Sequence, residues 1–512
     1  MRREENLVGL DLGTSSVRAL LFDGDFSSYP DLGAQKRYEF ITAPDGSVEV
    51  NPDLLLHLTC DCLDTLHEQM VEKGIKAAGV GISTFWHCFL GIDKEEKPTT
   101  PVVHLFDTRS GQQMRELTNT FDPAWLHAIT GCMPHTSYWP AKLLWLKEKH
   151  PSAVAKTIRW LSPGEYLLFT LTGDGAESTS MVSATGLWDQ RKSDYCEELL
   201  DAIGIGRDQL APVDSLDEPR RSLGSEFAKR WPLFNGIPWY PAFGDGACNS
   251  VGSGCTSPKQ FALMVGTSGA MRVVVKQKNV TIPAGIWCYR VNRERAILGG
   301  AVSNGGEVFR WITRTLQLPA DAENQIAKRQ PGTHGLTMLP YFAGERSPYW
   351  RPELRAAITG MSLATKPLDI LQACLESVSL RFKQIYTLLM RPFPEPEQVI
   401  ASGGALLRSK AWLQMMTDAL GHPIAECTAP EASSRGAAML AGECMGLLTE
   451  LGEVPLQLGV TTEPGPENVS TYQQMFERDA RLFEALYGAH SPFDPPENTT
   501  PLGNTAAPFS TA

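Results

Sequence analysis

A short polar turn near the N-terminus is the first candidate for chemistry in this chain. Segment 7–23 reads LVGLDLGTSSVRALLFD, in which Gly13, Thr14 and Ser15 separate two apolar runs. Glycine allows a tight turn, and the hydroxyls and exposed N–H groups beside it can hold an anion. Asp11 ends the first apolar run, where a carboxylate is costly unless it meets water or a cation. A β-hairpin with an ordinary polar turn is the alternative for so short a motif.

A second copy of this turn favours the functional interpretation. Segment 261–275 reads FALMVGTSGAMRVVV, and its Gly266 and Thr267 align with the first turn while Met264 stands in place of Asp11. Two such hairpins predict a duplicated domain. Two facing turns would suit a polyphosphate, and the single acid would suit its metal ion.

Further glycine turns follow apolar runs in the second half of the chain. They contain Gly305, Gly403 and Gly404. Neither a G-x-x-x-x-G-K-[ST] sequence nor a helix-opening G-x-G-x-x-G is present, which excludes the P-loop and Rossmann interpretations. The pattern favours a nucleotide held between two similar halves. Phosphoryl transfer would then require N–H donors, a divalent cation and a base for the acceptor hydroxyl.

Asp245 is the candidate base. It lies in the run GDGACNS, where small residues on both sides keep backbone and ligand close to its carboxylate. A simple Gly-Asp-Gly turn is the alternative. An aspartate is a far weaker base than a sugar hydroxylate, so it would orient the hydroxyl and take the proton as the O–P bond forms.

Two predicted strands deliver polar residues to one edge of a sheet. Strand 79–83 leads to His87, and strand 102–106 leads to Asp107 and Arg109. Ligands bind at such strand ends in open α/β sheets. The alternatives are a core histidine and a surface salt bridge. Arg109 would suit a carboxylate, to which it could bind through two hydrogen bonds.

Length and composition set the broad class. The 512 residues allow two or three domains, and alternating strands and helices predict an α/β fold. A net charge of −12 argues against nucleic acid or an anionic membrane as partner. Eleven scattered cysteines, the absence of a signal-peptide pattern and the lack of a long apolar run predict a reduced, cytoplasmic chain without a membrane span. The Pro/Thr/Asn-rich tail 490–512 is predicted to be disordered.

Together these motifs resemble the FGGY family of carbohydrate kinases. The resemblance rests on DLGTSS (11–16), GDGACNSVGSG (244–254), VGTSGAMR (265–272), SNGG (303–306) and ASGGALLRS (401–409). It implies two RNase H-like domains of the actin/hexokinase/Hsp70 ATPase superfamily, with ATP and sugar in the cleft between them. On this basis residues 1–253 form the sugar-binding domain that carries the base, and residues 254–489 form the ATP-binding domain.

The resemblance also implies roles for individual residues. Asp245 would be the catalytic base, and Asp11 and Asp245 would lie near Mg²⁺. The nucleotide-binding positions would be Gly13, Thr14 and Ser15 at the travelling phosphate, Gly266 and Thr267 at the other ATP phosphates, and Gly305, Gly403 and Gly404 at ribose and adenine. The sugar-binding positions would be Trp86, His87, Asp107, Arg109, Tyr138 and Asp245. Glu345 and Arg346 are candidates for pairing across the two domains instead of contacting a ligand.

Within the family the motifs are most similar to those of gluconokinases. Phe106 replaces the usual tryptophan of W-x-D-x-R, and Trp86 stands where xylulokinases and several gluconokinases carry methionine. D-gluconate is therefore the first choice of substrate and a pentulose such as xylulose the second. A nucleotide-binding regulatory protein without catalysis is an alternative of another class. The expected partners are ATP and a small sugar or sugar acid, and a homodimer is left open.

Overall fold

A computed structural model describes residues 5–213 and 219–488, so the predicted disordered tail 490–512 lies outside the described residues. The strands are β1 (Asn6–Gly13), β2 (Ser16–Phe22), β3 (Ser28–Arg37), β4 (Ile41–Thr42), β5 (Val48–Val50), β6 (Ala77–Thr84), β7 (Leu90–Ile92), β8 (Val102–Val103), β9 (Arg159–Leu161), β10 (Trp188–Asp189), β11 (Asp194–Tyr195), β12 (Phe243–Gly244), β13 (Gln260–Val265), β14 (Gly269–Val275), β15 (Trp287–Arg290), β16 (Ala296–Val302), β17 (Thr337–Leu339), β18 (Ala357–Thr359), β19 (Gln398–Ser402), β20 (Ile424–Cys427) and β21 (Leu458–Thr462).

The helices connect these strands and cover the sheets. They are α1 (Pro52–Lys73), α2 (Gly111–Thr120), α3 (Pro123–Thr130), α4 (Trp139–Lys149), α5 (Pro151–Lys156), α6 (Pro163–Thr172), α7 (Thr179–Val182), α8 (Glu197–Ile203), α9 (Ser225–Arg230), α10 (Asp245–Gly252), α11 (Gly306–Thr315), α12 (Ala322–Ile326), α13 (Pro367–Leu389), α14 (Gly404–Leu407), α15 (Lys410–Leu420), α16 (Ala432–Cys444) and α17 (Pro466–Tyr487).

Two sheets share one strand arrangement. The first has the order β12-β6-β1-β2-β3, and the second has the order β15-β16-β14-β13-β19-β20-β21. In both, an antiparallel hairpin is continued by an antiparallel strand on one side and by parallel strands on the other. The repeated arrangement confirms the α/β fold and agrees with the duplication that the two Gly-Thr-Ser turns predict.

The two hairpins differ in the length of their turns. Gly13 pairs with Ser16 in the first, so two residues form the turn. In the second the ladder ends at the pair Val265 and Gly269, and the Gly266 N–H donates to the Ser268 carbonyl at 2.9 Å. The second turn is therefore one residue longer than the first.

Local signals in the sequence define the ends of the long helices. Asn51 caps α1 by accepting hydrogen bonds from the N–H groups of Asp53 and Leu54, and Gly74 ends it in the left-handed conformation. Helix α13 begins at a proline and buries most of its length in the core of the second sheet.

Helix α16 joins the two halves of the molecule. It follows the second sheet in sequence but lies across the first, where a Cβ on Gly81 would overlap the Ala437 carbonyl group. It also packs against α10, and a Cβ on Gly436 would overlap the Cys248 carbonyl. The small residues of α16 therefore allow close packing. The domain boundary at 253/254 stays a prediction.

Candidate active site

A cavity of about 160 Å³ lies between the two sheets, and we call it the central cavity. Its wall is formed by Thr14, Trp86, His87, Leu105, Phe106, Ser137, Tyr138, Asp245, Met264, Ser268, Gly269, Ala270, Arg272, Trp287, Tyr289, Ala301, Arg346 and Trp350. Thr14 belongs to the first Gly-Thr-Ser turn and Ser268 to the second. The structure thus brings the two turns to one space, as the sequence predicts.

Asp245 reaches the central cavity from the first residue of α10. Its carboxylate accepts the Gly246 N–H at 2.8 Å. A Cβ on Gly244 would overlap the indole of Trp86, so only glycine lets Trp86 lie against the backbone beside the acid. Burial raises the pKa of Asp245, and the positive charge of Arg272 partly opposes this rise. The carboxylate is thereby made a better proton acceptor than an exposed aspartate.

Trp86 and His87 follow the end of β6 and are fixed by the segment around α7. The Trp86 indole N–H donates to the Ser180 carbonyl at 2.9 Å, and His87 Nδ1 donates to the Ala184 carbonyl at 2.6 Å. Burial lowers the pKa of His87 to about 3. The imidazole is therefore neutral, with Nδ1 protonated and Nε2 free to accept a hydrogen bond from a ligand hydroxyl.

Aromatic side chains from both halves form much of the remaining wall. The ring of Trp287 stacks on that of Tyr289 with centroids 4.3 Å apart and an interplanar angle of 6°. Tyr138, just before α4, places its hydroxyl 2.7 Å from the hydroxyl of Tyr289 on β15. Aromatic faces with hydroxyl groups at their edges suit a ligand that has both C–H and O–H groups.

Two arginines give the central cavity positive charge. Arg272 is buried on β14, and its Nε and Nη1 have no hydrogen-bond partner among the described residues. Arg346 donates from Nη2 to the Val302 carbonyl at 3.2 Å, while its Nε has no partner in that same part of the chain. Burial lowers the pKa of Arg272 to about 10, so its guanidinium stays charged at neutral pH. Unpaired guanidinium N–H groups in a small cavity favour an anionic ligand.

Asp107 and Arg109 do not line the central cavity. The predicted strand 102–106 is only β8, and both residues lie in the turn that follows it. Arg109 Nε donates to Asp107 at 3.0 Å, Arg109 also pairs with Glu49, and its guanidinium lies 4.1 Å from the Trp145 ring centroid. The sequence-based assignment of this pair to the sugar is therefore not supported, because early termination of the strand turns both side chains toward each other.

Asp11 lies beneath the first turn in a buried environment. Its carboxylate accepts Ser83 Oγ at 2.8 Å and Arg18 Nη1 at 3.2 Å. Burial raises its pKa to about 6, and these two donors partly oppose the rise. Arg18 also contacts Glu431 at 3.0 Å, just before α16. Asp11 is thus linked to the start of the helix that joins the two halves.

The acids present fit a magnesium ion that is shared with phosphate. Among residues 5–213 and 219–488, no cluster of three or more His, Cys, Asp or Glu side chains forms a metal cage. Asp11 and Asp245 are close enough for the charge of Asp245 to raise the pKa of Asp11. Mg²⁺ commonly binds one or two carboxylates together with substrate phosphates and water.

The glycine turns of the second half pack into one group of loops. The Gly306 N–H donates to the Gly266 carbonyl at 2.9 Å, and the Glu307 N–H donates to that of Thr267 at 3.0 Å. A Cβ on Gly305 would lie 2.7 Å from the Ser268 carbonyl carbon. Gly403 has φ +93°, and a Cβ there would overlap the Val265 carbonyl. Several of these glycines are therefore required by close loop packing.

Space beside the turns is compatible with a polyphosphate. At Gly266 the nearest heavy atom to an added Cβ would be 3.8 Å away, so this glycine leaves room and has no crowding neighbour. Thr14 and Ser15 are exposed at the tip of the first turn. Gly13 lies at the base of that turn, and Gly404 lies beside the guanidinium of Arg408. Nucleotide binding by these positions stays a prediction.

The fold is that of the actin/hexokinase-like ATPases. The N-terminal domain of the FGGY family of carbohydrate kinases matches residues 6–252, and its C-terminal domain matches residues 261–443. The chain therefore belongs to the FGGY family of carbohydrate kinases. No helix in the described part of the chain has the length and apolar character to cross a membrane.

Relatives with two different substrates resemble this chain. A gluconokinase of Bacillus subtilis (strain 168) is 27% identical, with 94% of this chain and 96% of that protein covered. A xylulose kinase of Lactococcus lactis subsp. lactis (strain IL1403) is 24% identical, with 92% of this chain and 95% of that protein covered. The crystal structure of a gluconate kinase from Lactobacillus acidophilus aligns with TM-score 0.87, 25% identity and coverage of 94% and 98%. The crystal structure of a ligand-bound xylulose kinase from the same organism aligns with TM-score 0.88 and 25% identity, and the alignment covers 95% of this chain and 99% of that chain.

Sequence reasoning missed most of the cavity wall that the second half supplies. Arg272 had a visible signal, because it is a charged residue inside an otherwise apolar strand, and burying such a charge is costly without a partner or a ligand. Arg346, a candidate for pairing across the domains, contacts Phe106 of the N-terminal half and also lines the central cavity. Trp287, Tyr289 and Trp350 carry no comparable signal, since aromatic residues on strands and loops are common in cores.

Proposed function

We propose that this protein transfers the γ-phosphoryl group of ATP to the primary hydroxyl of a sugar acid, with D-gluconate as substrate and 6-phosphogluconate as product. The observation that carries the proposal is the composition of the central cavity. Asp245, a neutral histidine and two arginines with unpartnered N–H groups line the same space. A polyhydroxylated anion has the groups that such a wall recognises.

Asp245 would act on the reacting hydroxyl. Its carboxylate accepts a hydrogen bond from the primary hydroxyl, orients the oxygen, and takes the proton as the new O–P bond forms. His87 Nε2 and the tyrosine hydroxyls would bind other hydroxyl groups of the substrate. Packing of both halves around the central cavity would exclude water from the transferring group.

ATP and Mg²⁺ would bind beside the two Gly-Thr-Ser turns. Gly13, Thr14 and Ser15 would hold the transferring phosphate, Gly266 and Thr267 the remaining phosphates, and Gly305, Gly403 and Gly404 the nucleoside. Asp11 and Asp245 would hold the metal ion, which supplies positive charge where negative charge develops in phosphoryl transfer. We further propose that residues 1–253 and 254–489 are the two domains.

Phosphorylation of a pentulose such as xylulose is the second candidate. Xylulose kinases resemble this chain at nearly the same identity as gluconokinases do. The neutral His87 and the aromatic wall would also suit an uncharged sugar. The two arginines favour the acid, because a neutral sugar would leave their N–H groups less well paired.

A panel of acceptors tests the two candidates. ADP release would be measured with D-gluconate, other aldonates, D-xylulose and glycerol at saturating MgATP. We expect the highest kcat/KM with D-gluconate. Turnover of xylulose without turnover of any sugar acid would overturn the first choice, and ATP binding without turnover of any acceptor would favour the non-catalytic alternative.

A further inference from the structure

We infer that Arg346 binds the carboxylate of the sugar acid, at the part of the central cavity formed by His87 and Phe106, whereas Arg272 serves the reacting end beside Asp245. This inference rests on the proposed function and deepens it. It replaces Arg109, the residue that the sequence suggests for the carboxylate, with an arginine from the other half of the chain.

Arg272 lies next to the catalytic acid. Its Nε is 3.1 Å from the position that a Cβ on Gly246 would occupy, directly after Asp245 in sequence. Its charge is also the main one opposing the rise in the pKa of Asp245. A cation in this place faces the hydroxyl that reacts and the phosphoryl group that arrives, for any acceptor that the enzyme uses.

Arg346 belongs to the C-terminal half but faces the part of the cavity wall that the N-terminal half forms. Its guanidinium carbon is 5.4 Å from the centroid of the Phe106 ring. Its positive charge contributes to the lowered pKa of both His87 and His135. Its Nη2 is held by the Val302 carbonyl, which fixes the orientation of the group. The unpartnered Nε then forms one edge of a preorganised donor.

Electrostatics favours an anion at Arg346. Both guanidinium groups line the central cavity, and the positive charge of Arg346 contributes to the lowered pKa of Arg272, as expected for two like charges close together. The adjacent Glu345 does not cancel this charge fully at neutral pH, because burial raises its own pKa to about 7. A substrate carboxylate would relieve the repulsion and pair the free N–H group.

The position of Arg346 would let a sugar acid contact both halves of the chain. Arg346 belongs to the loop after β17 in the C-terminal half, whereas His87, Phe106 and Tyr138 belong to the N-terminal half. A sugar acid whose carboxylate binds Arg346 and whose hydroxyls bind His87 would join the two halves. A neutral sugar lacks the group that makes this link.

Arg346→Met tests the assignment, because it keeps much of the side-chain volume and removes the charge. Kinetics would be measured with D-gluconate and with D-glucitol, which has the same carbon skeleton and an uncharged first carbon. We expect KM for D-gluconate to rise about 10- to 100-fold, as for loss of a charged hydrogen bond, and kinetics with D-glucitol to change less than about threefold. KM for ATP should stay within about twofold, and Arg346→Lys should restore part of the affinity.

Matched variants separate the possible outcomes. Arg314→Met on the exposed face of α11 removes an arginine away from the central cavity and should leave all constants unchanged. Arg272→Met should lower kcat with both acceptors. Equal losses with D-gluconate and D-glucitol in Arg346→Met, or a raised KM for ATP, would overturn the assignment.

Failure of the inference is distinguishable from failure of the proposed function. If the wild-type enzyme phosphorylates D-gluconate and Arg346→Met does so equally well, only the role of Arg346 is wrong. If the wild-type enzyme phosphorylates xylulose and neither phosphorylates nor binds D-gluconate by titration calorimetry, the proposed function and the role of Arg346 are both wrong.

Discussion

The hydroxyl groups of Tyr138 and Tyr289 lie 2.7 Å apart, although the two residues come from opposite halves of the chain. Tyr138 precedes α4, and Tyr289 lies on β15 at the edge of the second sheet. Both rings also contact His87, with centroids 5.1 and 5.3 Å from its ring. One hydrogen bond therefore joins the halves at the side chain that would bind the sugar.

Tyr289→Phe should weaken sugar binding without removing activity. The change leaves the buried Tyr138 hydroxyl without this cross-half partner and loosens the wall around His87. We expect KM for the sugar to rise about fivefold to tenfold, the size expected for one neutral hydrogen bond, with kcat little changed. Steady-state kinetics measures this effect. Tyr29→Phe, which removes a hydrogen bond to Asn6 outside the central cavity, should leave KM unchanged.

Asp245→Asn should lower kcat by about 10³-fold, in the range of general-base effects, while KM for ATP changes little. The amide keeps the shape of the side chain but cannot take the hydroxyl proton. Single-turnover measurements at saturating MgATP would separate the chemical step from binding. Turnover like that of the wild type would remove Asp245 from the proposed mechanism.

Asp11 predicts a pH dependence of stability whose sign can be worked out. Burial raises its pKa in the folded protein to about 6, above the ordinary value of about 4 in the unfolded chain. Between these pH values the folded state holds a proton that the unfolded state has released. The contribution of Asp11 to the free energy of unfolding therefore falls as pH rises from about 4 to about 6, and stays low above that range.

Asp11→Asn should remove this dependence. The stability of the metal-free variant relative to the wild type should increase by about 2 kcal/mol from pH 4 to pH 8, because most of the effect of the raised pKa of Asp11 falls within that range. Urea unfolding at both pH values measures this change, and the comparison cancels any effect of the substitution that does not depend on the ionisation of Asp11. A difference that is the same at both pH values would show that Asp11 titrates normally. The variant should also require more Mg²⁺ for activity.

The fold and the chemistry of phosphate transfer are more visible in the sequence than the sugar site. Gly-Thr-Ser turns, Asp11 and Asp245 are local motifs, so their strands and loops can be predicted from neighbouring residues. The central cavity depends on Arg272, Tyr289 and their neighbours, which meet the N-terminal half only in the folded structure, where Tyr289 contacts Tyr138 and His87. No local pattern specifies such contacts, because they join residues far apart in the chain.

The turn after β8 shows how a wrongly predicted strand end changes the expected position of two side chains. The sequence predicts strand through 106, which would place Asp107 and Arg109 on one face. The strand ends at Val103, and the Asp107 N–H donates to the His104 carbonyl at 3.1 Å in a turn. The acid is then buried, where it accepts the Val48 N–H at 3.1 Å as well as Arg109. The structure thus holds Asp107 and Arg109 as a partly buried ion pair, which is the alternative that the sequence left open.

Arg109→Met should consequently affect stability more than catalysis. It leaves the buried carboxylate of Asp107 without its charged partner and removes the guanidinium from the Trp145 ring, so we expect a loss of about 3 kcal/mol in the free energy of unfolding. KM for D-gluconate should change less than about threefold in the fraction that remains folded. Arg346→Met should show the opposite behaviour, with a large change in KM and a small change in stability. A large rise in KM for Arg109→Met at unchanged stability would instead favour a role of Arg109 in binding the sugar.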